Sequence, residues 1–146
     1  MMIIRPANDA DLDNLVALLK ILFTIEDDFE FDGVLQRQGL EMMLANPQGC
    51  VLVAEERGRV IGMCTGQLTI STAEGGVVAL VEDVVVDPAC QGRGTGRRLL
   101  EALGEWAASR GATRLQLLAD RDNQPALDFY AKLGWQGTKL ICLRKK

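Results

Sequence analysis

The sequence contains no histidine, a single tyrosine, and only 5% aromatic residues among its 146 positions. Without histidine there is no Ser-His or Cys-His hydrolase, because that nucleophile needs an imidazole base. A zinc site would lack its usual nitrogen ligands as well. The four cysteines, Cys50, Cys64, Cys90 and Cys142, form no C-x-x-C pair, so no metal is expected. Three of these thiols sit in apolar surroundings and read as buried, in keeping with a reducing cytosol. No apolar run approaches the length of a membrane span. The opening segment Met1–Pro6 is too short for a signal h-region. The expectation is a soluble, cytoplasmic protein without a membrane partner. Excess positive charge is also missing: the net charge is −4. A nucleic-acid partner is not expected, since it would require a basic face to replace phosphate counterions. The acidic balance suits a small cationic partner, or solubility alone.

What is present is ordinary globular composition, 48% apolar and 25% charged. A chain of this length suits one domain, 1–146, and buries roughly 68–70% of its unfolded surface. Met2–Arg5 reads as a strand ended by Pro6. Asn8 or Asp9 can cap a helix whose apolar positions Leu12, Leu15, Val16, Leu19 and Leu22 recur at helical spacing. A second helix covers about Val34–Ala45 and stops at Asn46-Pro47. Cys50–Glu55 and Val60–Ile70 read as a hairpin turning at Glu56–Arg59. Val77–Val86 is a long apolar strand stopped by Asp87-Pro88. A helix follows over Thr95–Ser109, ended by Gly111. Leu115–Ala119 is a strand, Pro125 opens a helix reaching Leu133, and Thr138–Leu143 is a last strand. The order β-α-α-β-β-β-α-β-α-β implies an α/β (α+β) fold. Its sheet is mixed, mostly antiparallel, of six to seven strands, with four helices on its faces.

The glycines cluster at Gln91-Gly92-Arg93-Gly94-Thr95-Gly96, between a buried strand and an amphipathic helix. Glycine lets the backbone turn tightly and approach a ligand. The helix start adds unpaired N–H groups and a positive dipole end, and Arg93, Arg97 and Arg98 add charge. Together they suit a phosphate or pyrophosphate. A P-loop is excluded, because no lysine follows the glycines. The dinucleotide fingerprint G-x-G-x-x-G would need glycine where Arg97 stands. It would also need a second half of sheet that the remaining residues are too few to build.

In this strand-loop-helix context Gln91, Gly94 and Gly96 match Gln/Arg-x-x-Gly-x-Gly/Ala, the coenzyme A loop of the GNAT superfamily of N-acetyltransferases. A second stretch, Asn123 to Trp135, resembles that family's N-x-x-A-x-x-F-Y-x-K-x-G-F/W signature. The resemblance implies a GNAT fold over nearly the whole chain and acetyl-coenzyme A as cosubstrate. It implies that Val84, Val85 and Val86 lie along the pantetheine arm, on a strand splayed from its parallel neighbour and often bulged. A backbone N–H near Val84 would then polarise the thioester carbonyl. Gln91, Gly92, Arg93, Gly94, Thr95, Gly96 and Arg97 would hold the pyrophosphate, and Asn123 the pantetheine or a strand end. Tyr130 would be the acid for the departing thiolate.

Glu82 and Asp83 interrupt the apolar strand. Neighbouring strand residues face opposite ways, so one carboxylate is expected to point into a cleft and the other elsewhere. An amine arrives protonated, and either carboxylate could take its proton. A Glu-Asp pair at this offset resembles the polyamine and glucosamine-phosphate branches of the family. The lysine-acetylating branch places its glutamate where Leu80 stands. The expected reaction is direct acetyl transfer to a primary amine of a small molecule: a polyamine, amino acid, amino sugar or aminoglycoside. The alternatives are acetylation of a protein N-terminus or lysine, and a non-catalytic acyl-coenzyme A-binding module. Glu26, Asp27, Asp28 and Phe29, between the first two helices, are the candidate amine-binding residues. The family often ends in two strands and this tail supplies one, so the partner copy in a homodimer is a candidate to complete the sheet.

Overall fold

The computed structural model describes residues 1–26 and 29–146. Its elements are β1 (Met2–Pro6), a 3-10 turn, α1 (Leu12–Ile25), α2 (Gly33–Ala45), β2 (Gly49–Glu56), β3 (Arg59–Ser71) and β4 (Gly76–Val86). A second 3-10 turn (Pro88–Cys90), α3 (Thr95–Ser109), β5 (Leu115–Leu117) and α4 (Gln124–Lys132) complete them. The chain divides into two compact units, Met1–Gln116 and Leu117–Lys146.

The first unit is built on a sheet of order β1-β2-β3-β4-β5, with β1 to β4 antiparallel. The β2–β3 hairpin turns at Arg57 and Gly58, both at positive φ (53° and 75°). Such a two-residue turn matches the twist of the flanking strands. At the other edge Thr113 N–H donates to the Val77 carbonyl and Ala79 N–H to that of Arg114, at 3.0 and 2.9 Å. Both segments advance together through these bonds, so β5 enters parallel to β4.

Strand alternation sorts β3 between two helical layers. Met63 joins Leu15, Leu19 and Leu22 of α1 and Leu40 of α2 in one apolar core. Cys64 faces the other way, its thiol donating to the Leu99 carbonyl of α3 at 3.7 Å. Gly66 lies on the α3 side too. A Cβ there would sit 2.9 Å from Leu103 Cδ1, so glycine is what lets α3 seat this close. Leu15, Leu99 and Leu103 are fully buried. Each stabilises the fold by roughly 1.5–3 kcal/mol through apolar burial. Asn8 caps the entry to α1 in a reciprocal box with Asp11. Arg5 grips the Asp11 carboxylate through both terminal nitrogens at 2.8 and 2.9 Å. That pairing holds the Asp11 carboxyl below its ordinary range.

In the second unit, α4 carries Pro125 in its first turn and ends before Gly134, which has a φ of 91°. The Phe129, Tyr130 and Trp135 rings meet edge-on, their successive centroids 5.2 and 5.9 Å apart.

The sheet has five strands among the described residues, not the six to seven expected. Leu115–Ala119 shrinks to Leu115–Leu117, and Thr138–Leu143 forms no strand. A strand exists only by pairing with an edge, whatever its β-propensity. No described strand pairs with that segment, and Leu140, Ile141 and Leu143 stay exposed. Among the described residues, no helix is long and apolar enough to cross a membrane, and no three His, Cys, Asp or Glu side chains cluster as a metal site would.

Candidate active site

The site begins with an irregularity in β4. Thr65 pairs with Glu82 and Met63 with Val85, so Asp83 and Val84 together stand opposite Cys64. That is a β-bulge, one extra residue on β4. Asp83 absorbs it with a φ of 53°, a region that non-glycine residues seldom enter. The bulge cancels the strand alternation, and Glu82 and Asp83 line the same cleft. The expectation that they point apart is therefore corrected.

This cleft has a volume of about 260 Å³. Its described walls are Leu19 and Phe23 of α1, and Leu35, Gln36, Gly39, Leu40 and Met43 of α2. Its floor is Thr65 and Gln67 of β3 with the carboxylate pair of β4. Glu82 is exposed and Asp83 half-buried. Burial first, and then the neighbouring Glu82 charge, push the Asp83 carboxyl up to about 6. The buried Thr65 hydroxyl opposes this from 3.4 Å, within 3.1 Å of the Glu82 carbonyl as well. A carboxyl near 6 accepts a proton at neutral pH and is a stronger base than an ordinary aspartate.

Val84 and Val86 are half-buried and Val85 is buried. The chain leaves β4 through the Pro88–Cys90 turn, where Cys90 is buried. The Gln91 amide then ties the loop back to the Val86 carbonyl at 3.4 Å. Gly92 and Gly94 take φ of 80° and 78° with open space where a Cβ would be. Gly94 stands at the N-cap of α3 and offers no capping side chain. The first-turn N–H groups at Thr95, Gly96 and Arg97 therefore have no intrahelical acceptor. Thr95 Oγ1 is buried there without a hydrogen-bond partner among the described residues. An orphaned hydroxyl, free amides and an open glycine loop fit a phosphate-bearing cofactor. The arginines are exposed and engaged: Arg93 with Glu56 at 3.0 Å, Arg97 with Glu101 at 2.8 Å, and Arg98 with the Met2 carbonyl at 3.0 Å.

In the second unit Asn123 caps α4, its side-chain oxygen accepting from Ala126 N–H at 3.2 Å. Tyr130 lies half-buried between Phe129 and Trp135.

The structure brings Glu82 and Asp83 together in one cleft and places Val84–Val86 directly before the loop. Glu26 ends α1, its N–H bonded to the Leu22 carbonyl at 3.0 Å. Phe29 packs on Phe23, a residue of the cleft wall, with ring centroids 5.4 Å apart. Asp27 and Asp28 lie outside the described residues. Sequence reasoning missed Thr65, Gln67, Gln36 and Gly39. The one signal available was polarity, at Thr65 and Gln67 two residues apart, between the apolar run Val60–Cys64 and Leu68.

Fold, bulged strand and glycine loop together define one class: residues 15–135 match the Acetyltransferase (GNAT) family, and the chain belongs to it. An uncharacterized N-acetyltransferase of Bacillus subtilis, YhfO, is 31% identical over 97 residues, 66% of this chain and 65% of that protein. A mycothiol acetyltransferase of Amycolatopsis mediterranei is 43% identical over 86 residues, 57% of this chain and 29% of the relative. These matches thus span between about a third and two thirds of the relatives' lengths. A putative acetyltransferase from Agrobacterium tumefaciens has the same fold, with a TM-score of 0.84 at 26% identity over 99% of both chains.

Proposed function

We propose that this chain is an acetyl-coenzyme A-dependent N-acetyltransferase acting on the primary amine of a small molecule. One observation carries the reading: the β4 bulge turns two carboxylates into a single cleft, and the same strand leads directly into the open glycine loop. Family membership supports the reaction type.

The backbone amides of Gly92–Gly96, the Thr95 hydroxyl, Gln91, Arg93 and Arg97 hold the pyrophosphate of the cofactor. The Val84–Val86 segment would lie along its pantetheine arm, and the family signature gives Asn123 a part in fixing that arm. Acetyl-coenzyme A, when bound, supplies the activated acetyl group as a thioester. Asp83 takes the proton from the incoming ammonium, its raised basicity matched to neutral pH. Glu82, the more exposed of the pair, attracts and orients the cation. Glu26, which ends α1, and Phe29, packed on the wall residue Phe23, are further candidates for binding the cation, with Asp27 and Asp28, which lie outside the described residues. Tyr130 holds the proton that the departing sulfur receives, in line with its place in the family signature. Cys90 plays no covalent part.

The test is the joint appearance of free thiol and N-acetylated product when the protein meets acetyl-coenzyme A and a panel of primary amines. Equal amounts of both are expected, with Tyr130→Phe slower by about 10²-fold or more. Tight cofactor binding with no thiol release from any amine would instead indicate a binding module. Turnover of peptides alone would indicate a protein acetyltransferase.

A further inference from the structure

We infer that the acceptor is a small primary amine with an apolar, uncharged body and no anionic group, seated between α1 and α2 with its ammonium on the Glu82–Asp83 pair. The inference rests on the acetyl-transfer reading of the same cleft.

Three features carry it. The first is charge. The described lining holds two carboxylates and no lysine or arginine. A phosphate or α-carboxylate on the acceptor would enter a half-buried space beside like charge, with no cation in the described lining to pair it. The second is the wall. Leu19, Phe23, Leu35, Leu40 and Met43 give the body of a ligand apolar surface, and Gln36 and Gln67 offer neutral hydrogen bonds. At about 260 Å³ the cleft is smaller than the ~300–1,000 Å³ of sites for drug-sized ligands, so the body is short.

The third is Gly39. It stands inside α2, where glycine weakens the helix relative to alanine. Its φ is not in the left-handed region, and a Cβ there would meet nothing within 4 Å. Neither backbone conformation nor close packing calls for glycine at this position. Its exposed surface lines the cleft. The glycine keeps that wall open, and any long side chain here would occupy the space of the acceptor's body.

Calorimetric titration of the full chain tests this with three probes: phenethylamine, glucosamine 6-phosphate and 2,4-diaminobutyric acid. Phenethylamine is expected to bind at least tenfold more tightly than either of the other two, the amines that carry an anionic group. Gly39→Leu is expected to weaken phenethylamine at least tenfold, while Gly39→Ala leaves a folded protein. Equal or tighter binding of an anionic amine overturns the inference, as does binding of none of the three. A folded Gly39→Leu that binds phenethylamine as the parent does also overturns it. Should that variant not fold, the comparison among the three amines still decides. Thiol release separates the two readings. Binding in the expected order without release contradicts acetyl transfer and leaves the cleft assignment standing. Release that favours an anionic amine contradicts the cleft assignment alone.

Discussion

Asp83 concentrates the conflict between folding and function. Its backbone at φ 53° costs on the order of 1–3 kcal/mol, less for an aspartate than for a bulky residue. Its carboxyl is pushed from an ordinary 3.8 to about 6, chiefly by burial. Below the ordinary value both folded and unfolded states hold the proton, and stability is unaffected. Between that value and about 6 the unfolded chain releases its proton first, so stability falls as pH rises. Above about 6 the whole penalty stands. Asp83→Asn removes the charge and keeps the shape. It is expected to stabilise the protein by about 1–2 kcal/mol at pH 7.5, a figure reduced from the full shift because solvent reaches the group. Near pH 3.5 it should change little. Urea unfolding at the two pH values measures the difference, and equal gains at both would rule out burial of the charge as the cause.

At the scale of elements, the local signals read well. The β2–β3 hairpin, both ends of α3 and the Pro125 start of α4 follow from turn and cap residues close in sequence. Register does not read in this way. The family resemblance implies a bulge in this strand, but its place at Asp83–Val84 is visible only from pairing with β3, and so strand alternation misplaced one carboxylate. The Thr138–Leu143 segment has a strand's composition but no described partner, so its pattern alone misled. The close seating of α3 on β3 is likewise a property of the pair, set by Gly66 against Leu103. Gly66→Val places branched carbon where Leu103 packs. It is expected to cost about 1–3 kcal/mol by overpacking. A drop in the urea midpoint at unchanged slope would report it, whereas an unchanged midpoint would mean that the two elements separate without penalty.

Across the whole molecule, the chemistry that was legible is the chemistry carried by short contiguous stretches. Gln91–Gly96 and Asn123–Trp135 each lie within a single strand-loop-helix or helix-turn segment, which is why family and cofactor class read directly. The proposed acceptor cleft takes its described walls from α1, α2, β3 and β4. No local pattern announces such a site, and Gln36, Gly39, Thr65 and Gln67 become functional candidates only once those elements are placed. The central claim is that Asp83, raised by that assembly, takes the proton from the amine. The most direct test is the pH dependence of kcat/KM for acetylation of a primary amine by the unaltered protein and by Asp83→Asn. The account predicts an acid limb with an inflection at about 6 in the parent. In the variant it predicts loss of that limb, with a fall in rate of about 10²-fold or more. An inflection that persists unchanged in Asp83→Asn would contradict it.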